Sequence, residues 1–322
     1  MTDFWNAFPG IPEELAQVYS TLTLTAKSEN SIINDAISKL FSGDGKLLRP
    51  GLLLIASRFG KIQKEKLYSL AAAVEMLHVA TLVHDDVIDD SPLRRGSPAA
   101  HVRFGKKDAV LIGDYLLSRC FLLAAAYTST ENAKLLARSI SAMCSMEIEQ
   151  DADRYQADPS IRRYLHKIMG KTALLFSLSA HIGGAEAGAR KATTEHLRRA
   201  GYDIGMAFQI IDDILDYEGL AGEVRKPIGN DVRAGIATLP LLCALSKDAD
   251  GRLSSLVSPE NFPHSDPLLI IQATKERGGI DTARTYAQRY TNRALKEIAG
   301  LPAGENRAMM ELLAKKLLER RY

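Results

Sequence analysis

Apolar residues recur three and four positions apart through most of the chain, as in Leu67, Leu70, Ala71, Val74, Leu77 and His78, and again in Leu111, Tyr115, Leu116, Ser118 and Leu122. Positions at that spacing share one face of a 3.6-residue turn, so the pattern predicts helices rather than strands, whose faces alternate every two residues. No alternating β-branched run competes with it, and strand content is expected close to zero. Helices are predicted near 11–25, 29–42, 46–60, 64–90, 107–127, 131–154, 160–182, 190–217, 231–247, 267–276, 280–298 and 305–320. Gly, Pro, Asp and Ser cluster between them at Gly43-Asp44-Gly45, Ser91-Pro92 to Ser97-Pro98, Asp158-Pro159, Gly183-Gly184, Gly219 to Gly229, Ser258 to Pro267 and Gly300 to Gly304.

The segments 64–90, 160–182 and 190–217 carry apolar or small residues on most faces, as a helix surrounded by other helices does. No low-complexity linker divides the chain, and Gly219 to Gly229 is too short and too basic for a domain joint. One all-α domain over 1–322, a single large helical bundle, is therefore expected. The 322 residues are 46% hydrophobic and 25% charged, which excludes collagen-like, disulfide-scaffold and wholly disordered classes. With 41 Lys+Arg against 39 Asp+Glu, charge offers no general reason to expect nucleic acid as a partner.

Cys120, Cys144 and Cys243 lie far apart in apolar stretches without CxxC spacing, and are expected to be reduced core residues. Asp3, Glu13 and Glu14 precede the first basic residue, Lys27, the reverse of a secretory charge order, so a cytoplasmic location is expected. The longest uncharged runs, Thr172 to Ala185 and Ala234 to Ser246, are shorter than the ~18 apolar residues needed to cross a bilayer. No transmembrane segment is expected.

Two aspartate strings close long apolar helices: His84-Asp85-Asp86-Val87-Ile88-Asp89-Asp90 and Asp212-Asp213-Ile214-Leu215-Asp216. At a spacing of four, Asp85 and Asp89, Asp86 and Asp90, and Asp212 and Asp216 each project from one helix face. Like charges there repel, and they add to the negative end of the helix dipole unless cations neutralise them. A single such string is as compatible with a solvated helix end as with a site; two, each after an apolar run, favour a site. Carboxylates without His or Cys are hard ligands suited to Mg²⁺, which takes its remaining oxygens from water and phosphate. An EF-hand fits poorly, because its central Gly and terminal Glu are missing.

Basic residues stand nearby or at breaks: Arg94 and Arg95, then Lys46 and Arg49, Lys171, and Lys226. Guanidinium forks grip phosphate oxygens in pairs, which suits adjacent arginines beside carboxylates to a magnesium diphosphate. Lys171 precedes Ala173, Leu174, Leu175 and Phe176, which predicts an ammonium held near an apolar interior.

Over roughly residues 40–245 these motifs resemble the trans-type isoprenyl diphosphate synthases, or polyprenyl synthetases. The resemblance rests on Gly45-Lys46-x-x-Arg49-Pro50, Glu75-Met76-Leu77-His78, the first aspartate string with Arg94-Arg95-Gly96, Val110-Leu111-x-Gly113-Asp114-Tyr115-Leu116, Glu147-x-x-Gln150, Lys171-Thr172-Ala173, Phe208-Gln209-x-x-Asp212-Asp213-x-x-Asp216, Lys226-Pro227 and Asp231. It implies the isoprenoid synthase type I fold, a helical bundle with a central cavity, and condensation of isopentenyl diphosphate with an allylic diphosphate. It also implies up to three Mg²⁺ held by Asp85, Asp89 and Asp212, with Asp86, Asp213 and Asp216 in support. Arg94, Lys171, Gln209 and Lys226 are assigned by it to the allylic diphosphate, and Lys46, Arg49, His78 and Arg95 to isopentenyl diphosphate. Carbonyl dipoles near Lys171-Thr172 and the Gln209 side chain would steady an allylic cation. On its own, His78 reads more readily as a packed core histidine, and its place in the motif reverses that.

The family implies a homodimer, with the helix near 107–127 as its surface through Leu111, Leu116, Phe121, Leu122 and Leu123; a heteromer is the alternative. Small Ala80 and Thr81, one turn before Asp85, with Leu77, Val74 and Ala73 deeper, leave a product passage open, which implies a medium-to-long trans product. Met146 stands where Gly usually precedes Glu147, Ile236 where many relatives carry a Lys, and Arg225 where Gly often precedes Lys226. Leu47 and Ala234 replace commonly polar residues. These departures spare the metal ligands and are compatible with a rearranged phosphate site, weak activity alone or dependence on a partner subunit. A class I terpene cyclase, the competing enzyme, usually has an Asn/Ser/Glu motif in place of the second aspartate string.

Overall fold

The computed structural model describes residues 3–41, 45–94, 97–151, 155, 160–219 and 228–318. Its helices in chain order begin with α1 (Ile11–Ala26), α2 (Ser31–Phe41), α3 (Leu48–Ser57), α4 (Lys64–Ile88), α5 (Ala100–Phe104), α6 (Lys106–Tyr127) and α7 (Thr130–Asp151). They continue through α8 (Ile161–Ile168), α9 (Leu174–Glu186), α10 (Lys191–Glu218), α11 (Asn230–Arg233), α12 (Leu239–Leu245), α13 (Arg252–Leu256), α14 (Pro267–Glu276), α15 (Gly279–Ala299) and α16 (Glu305–Leu318). Short 3-10 turns cover Asp3–Ala7 and Phe262–His264. Among the described residues the only strands are β1 (Leu93–Arg94) and β2 (Ser97–Pro98), an antiparallel pair with Leu93 opposite Pro98 and Arg94 opposite Ser97.

The chain forms two compact units. The first comprises Met1–Leu136, Leu178–Leu197 and Pro302–Met309. Its axis is α4, which buries Leu67, Leu70, Ala71, Val74, Met76, Leu77, Ala80 and Val83, residues from every side of the helix. α1, α3 and α6 pack on it. α1 presents the stripe Ile11, Leu15, Val18, Leu22 and Ala26, and Pro12 in its first turn loses no hydrogen bond there. α6 comes close to α4 because residue 113 is glycine: a Cβ there would stand 2.2 Å from Nε2 of His84.

The break expected at Gly183-Gly184 does not occur. α9 continues to Glu186 because Gly183 lies on the backbone of α3, where a Cβ would be 2.4 Å from the Leu53 carbonyl oxygen. These glycines serve close packing rather than a turn.

The second unit comprises Ala137–Ser177, Arg198–Leu301 and Met310–Tyr322. Its core gathers Ile210, Ile214 and Tyr217 from α10, Leu239, Leu242 and Cys243 from α12, Ile270 from α14 and Ala283 from α15. The single helix expected over 231–247 is split into α11 and α12, because Gly235 adopts a left-handed φ of 74° and Pro240 belongs to a first helical turn. The helix expected over 160–182 is interrupted by a π-helical turn at Met169–Ala173. Such turns are single-residue insertions that recur at functional sites.

Cys120 and Cys243 are buried, as expected, but Cys144 is exposed on α7; none is in a disulfide. α4 and α6 are long and apolar enough to cross a membrane by length and composition, with mean hydropathy of 1.3 and 1.6, although no uncharged run had indicated it. The apolar window of α4 is 72% buried in the protein, against 39% for α6.

Candidate active site

The end of α4 arranges the first aspartates. Asp85 and Asp89 stay one turn apart, with the Asp89 N–H donating to the Asp85 carbonyl at 2.8 Å, and both are half-buried. Asp90 does not share the face of Asp86, as the spacing implied; the helix stops at Ile88 and Asp90 takes a left-handed φ of 50°. Asp86 is buried at 3% exposure. Its oxygens accept hydrogen bonds from Arg94, Nε at 3.0 and 3.1 Å and Nη2 at 2.5 Å. Asp90 is engaged by Lys106 at 2.9 Å, with buried His101 at 3.7 Å. The Lys106 hydrogen bond and charge lower its pKa.

Further along the first unit, Nη1 of Arg49 lies 3.0 Å from Nε2 of His78. A guanidinium only donates, so that nitrogen of His78 is the acceptor and the imidazole proton sits on Nδ1. His78 is thus half-buried beside Arg49 rather than packed in the core. Lys46, three residues before Arg49, is half-buried and has its ammonium 5.8 Å from the centre of the Phe4 ring. Ala80 and Leu77 are fully buried in α4, and the Thr81 hydroxyl donates to the His78 carbonyl at 2.8 Å.

In the second unit the π-turn delivers Thr172 to α10. Its hydroxyl donates to Oε1 of Gln209 at 2.6 Å, and Nε2 of Gln209 donates to Asp213 at 2.8 Å. The hydroxyl of Tyr164 donates to the other Asp213 oxygen at 2.6 Å. Gly205 permits this approach, since a Cβ there would lie 2.6 Å from Cα of Ala173. Burial pushes Asp213 up to about 8, reinforced by the charge of Asp231 and opposed by the bonds from Tyr164 and Gln209. Burial, then the Asp213 carboxylate, holds the Tyr164 hydroxyl well above its ordinary pKa. Asp216 accepts from the Asn230 and Asp231 backbone N–H groups, each at 3.0 Å, and so anchors the start of α11. Asp212 is half-buried one position before Asp213.

Lys171 is exposed, not held against an apolar interior. The π-turn rotates it outward while Thr172 and Ala173 turn inward. Met146 packs on Gly170 beside it; a Cβ at 170 would be 2.4 Å from the Met146 sulfur. Arg95 and Lys226, with the departure Arg225, lie outside the described residues. Sequence reasoning missed Tyr164, His101 and Asn230, whose partners are set by folding and carry no local motif.

Among the described residues no group of three or more His, Cys, Asp or Glu side chains converges to hold a metal by itself. The donors present are carboxylates on helix ends, beside Arg and Lys. That set fits Mg²⁺, which is held by one or two carboxylates together with phosphate oxygens from a substrate.

Residues 30–267 match the family model described as Polyprenyl synthetase. The chain is similar to component 2 of heptaprenyl diphosphate synthase from Geobacillus stearothermophilus, 36% identical over 312 residues, covering 97% of each chain. Among solved structures it resembles geranylgeranyl pyrophosphate synthase from Lactobacillus brevis, with TM-score 0.92, 34% identity and 99% of each chain covered. It also resembles a polyprenyl synthase from Caulobacter crescentus complexed with calcium and isoprenyl diphosphate, with TM-score 0.89, 33% identity, and 97% of this chain and 96% of that one covered. The ordered aspartate, Arg-Arg-Gly and Lys-Thr motifs, the helical fold and these likenesses agree: the chain belongs to the polyprenyl synthetase family and is a trans-prenyltransferase.

Proposed function

We propose that the protein condenses isopentenyl diphosphate with an allylic diphosphate, in a Mg²⁺-dependent reaction, to give an all-trans polyprenyl diphosphate of about six to eight or more isoprene units. Asp85, Asp89 and Asp212 are the ligands in this reading, with up to three ions. The observation that carries it is the same in both units. The supporting aspartates, Asp86, Asp213 and Asp216, are held by protein donors, which locks the helix ends carrying Asp85, Asp89 and Asp212. Magnesium held by these aspartates would supply Lewis acidity to the allylic diphosphate as its carbon–oxygen bond breaks with the electron pair going to the diphosphate. Arg94 and Lys171 add positive charge at the leaving group, as does Lys226. Electrostatic stabilisation of this kind requires no Ser-His or Cys-His dyad.

Lys46, Arg49, His78 and Arg95 bind isopentenyl diphosphate in this reading. Its double bond attacks the allylic carbon, and a proton is lost to the departing diphosphate. The Gln209 amide, fixed between Thr172 and Asp213, orients its oxygen dipole toward developing positive charge. Buried Ala80 and Leu77, with Thr81, border the growing chain.

A homodimer through α6 is part of the proposal: Val110, Leu111, Phe121 and Leu122 are exposed there. Leu116 and Leu123, expected on that surface, are buried and belong to the inner face. One observation favours a heteromer instead, the likeness to a protein named as a component. A cytoplasmic location is proposed for either assembly. Incubating the purified protein with labelled isopentenyl diphosphate, allylic primers and Mg²⁺, then sizing the products, tests the reading. Elongated products support it; cyclised hydrocarbon, or no product without a second protein, would replace it with a cyclase or a heteromeric subunit.

A further inference from the structure

The 3-10 turn Asp3–Ala7 precedes every motif that the family resemblance uses, yet its side chains reach the Lys46-to-Arg49 segment. Trp5 is 2% exposed, and its indole N–H donates to the Lys46 carbonyl at 2.5 Å. A buried indole N–H needs such a partner, and a backbone carbonyl at the head of a helix is one that a side-chain substitution at residue 46 does not remove. The ring lies on Gly51, where a Cβ would stand 2.2 Å from the indole. Phe4 packs edge-on against Trp5 at 4.9 Å and carries the Lys46 ammonium over its face at 5.8 Å. Phe8, 1% exposed, closes the other side of the indole at 5.1 Å. An ammonium over an aromatic face is attracted by the ring quadrupole at that range.

The segment so gripped is under strain. Leu47 holds φ 47° and ψ 44°, the left-handed region that a branched side chain enters at a cost of about 1–2 kcal/mol. It is also the residue whose carbonyl accepts the first bond of α3, from the Gly51 N–H at 2.9 Å. The indole therefore touches both ends of this first turn, the carbonyl before Leu47 and the glycine after it. The turn sets the direction of Lys46 relative to Arg49, and Arg49 in turn bonds His78 at 3.0 Å.

We infer that Trp5 is a positioning residue for the second substrate: through the Lys46 carbonyl and the Gly51 contact it holds Lys46 and Arg49 in the geometry that receives the diphosphate of isopentenyl diphosphate. The inference rests on the proposed assignment of Lys46, Arg49 and His78 to that substrate. Phe4 contributes by restricting the Lys46 ammonium. The indole makes no contact with substrate in this role. Its effect is on affinity for one diphosphate and not on ionisation of the other.

Full-length protein with Trp5→Phe, Gly51→Ala or Arg49→Ala, assayed with Mg²⁺ and one allylic primer, tests this. Trp5→Phe keeps a ring and removes the N–H; Gly51→Ala leaves Trp5 in the sequence but displaces its ring, while alanine favours the helix itself. Both are expected to raise KM for isopentenyl diphosphate by about fivefold to tenfold, the scale of one hydrogen bond, with KM for the primer unchanged. A purely structural role would instead lower the active fraction, and so kcat, at constant KM. An unchanged isopentenyl KM in both variants, with a raised one in Arg49→Ala, overturns the inference and keeps the substrate assignment. An unchanged KM in Arg49→Ala overturns both. Trp5 is the single tryptophan of the chain. Its emission is therefore expected to change saturably with isopentenyl diphosphate alone, which is not consumed without a primer, and not with allylic diphosphate alone. Absence of that change in the wild type overturns the inference even where the variants fail to fold.

Discussion

Arg94 lies across the buried carboxylate of Asp86, with Nε 3.0 and 3.1 Å from its oxygens and Nη2 2.5 Å from one of them. The pair ties the β1–β2 ribbon back to the last turn of α4. It converts a run of like charges into members with different tasks: Asp86 fixes the ribbon, Lys106 engages Asp90, and Asp85 and Asp89 remain one turn apart on the helix end. Because Arg94 is itself 40% exposed, the pair orients more than it stabilises.

That division predicts graded losses. Asp85→Ala or Asp212→Ala is expected to lower turnover by at least about a thousandfold, roughly 4 kcal/mol of barrier. Asp86→Asn, which disturbs an orienting partner, is expected to cost about 10-fold to 100-fold. Helical content by circular dichroism should be kept in all three. Near-normal rates for Asp85→Ala at saturating Mg²⁺ would refute the ligand assignment.

Tyr164→Phe removes one of the donors to Asp213 without changing the ring. A buried polar group left short of a hydrogen-bond partner costs about 1–3 kcal/mol, so the midpoint of denaturant unfolding should fall by that equivalent. An unchanged midpoint would mean that water or another donor takes the place of the hydroxyl.

Burial pushes Asp203 of α10 up to about 6 despite its ion pair with Arg293 at 3.0 Å. An unfolded aspartate titrates near 3.8, so between those values the folded chain keeps a proton that the unfolded chain has released. Stability from this group is therefore present below the unfolded value and lost as pH rises through about 6, by at most about 3 kcal/mol. Asp203→Asn should gain on wild type progressively between pH ~4 and ~7 in unfolding measurements. A difference independent of pH would contradict the assignment.

Ala80 is fully buried on α4, one turn before Asp85. Ala80→Phe is expected to shorten the product distribution with KM for isopentenyl diphosphate nearly unchanged, read by chromatography of the dephosphorylated products. Wild-type product confined to three isoprene units, or a variant with unaltered product length, would refute this reading of the passage. Overpacking at such a site also costs about 1–3 kcal/mol, so the thermal midpoint is measured alongside.

Local spacing alone determined much of this protein. The three-and-four recurrence of apolar residues set the long helices, because a helix face repeats at that period whatever it later packs against. The same rule placed Asp85 with Asp89 and Asp212 with Asp216, and the ordered motifs carried the family. Tertiary structure decided what each group does next. Gly183 and Gly184 read as a stop, yet Gly183 packs on Leu53 and Gly184 on Leu197 inside a helix that runs on to Glu186. Asp86 and Asp213 read as equals of their neighbours, but their partners are Arg94, eight residues on, and Tyr164, 49 residues back. Lys171 read as sheltered until a π-turn rotated it outward. Trp5 has no motif around it, and its partner Lys46 lies 41 residues away. A repeat reports the geometry of one helix; the neighbour of a buried polar group is chosen by which helices meet, and that depends on the whole chain.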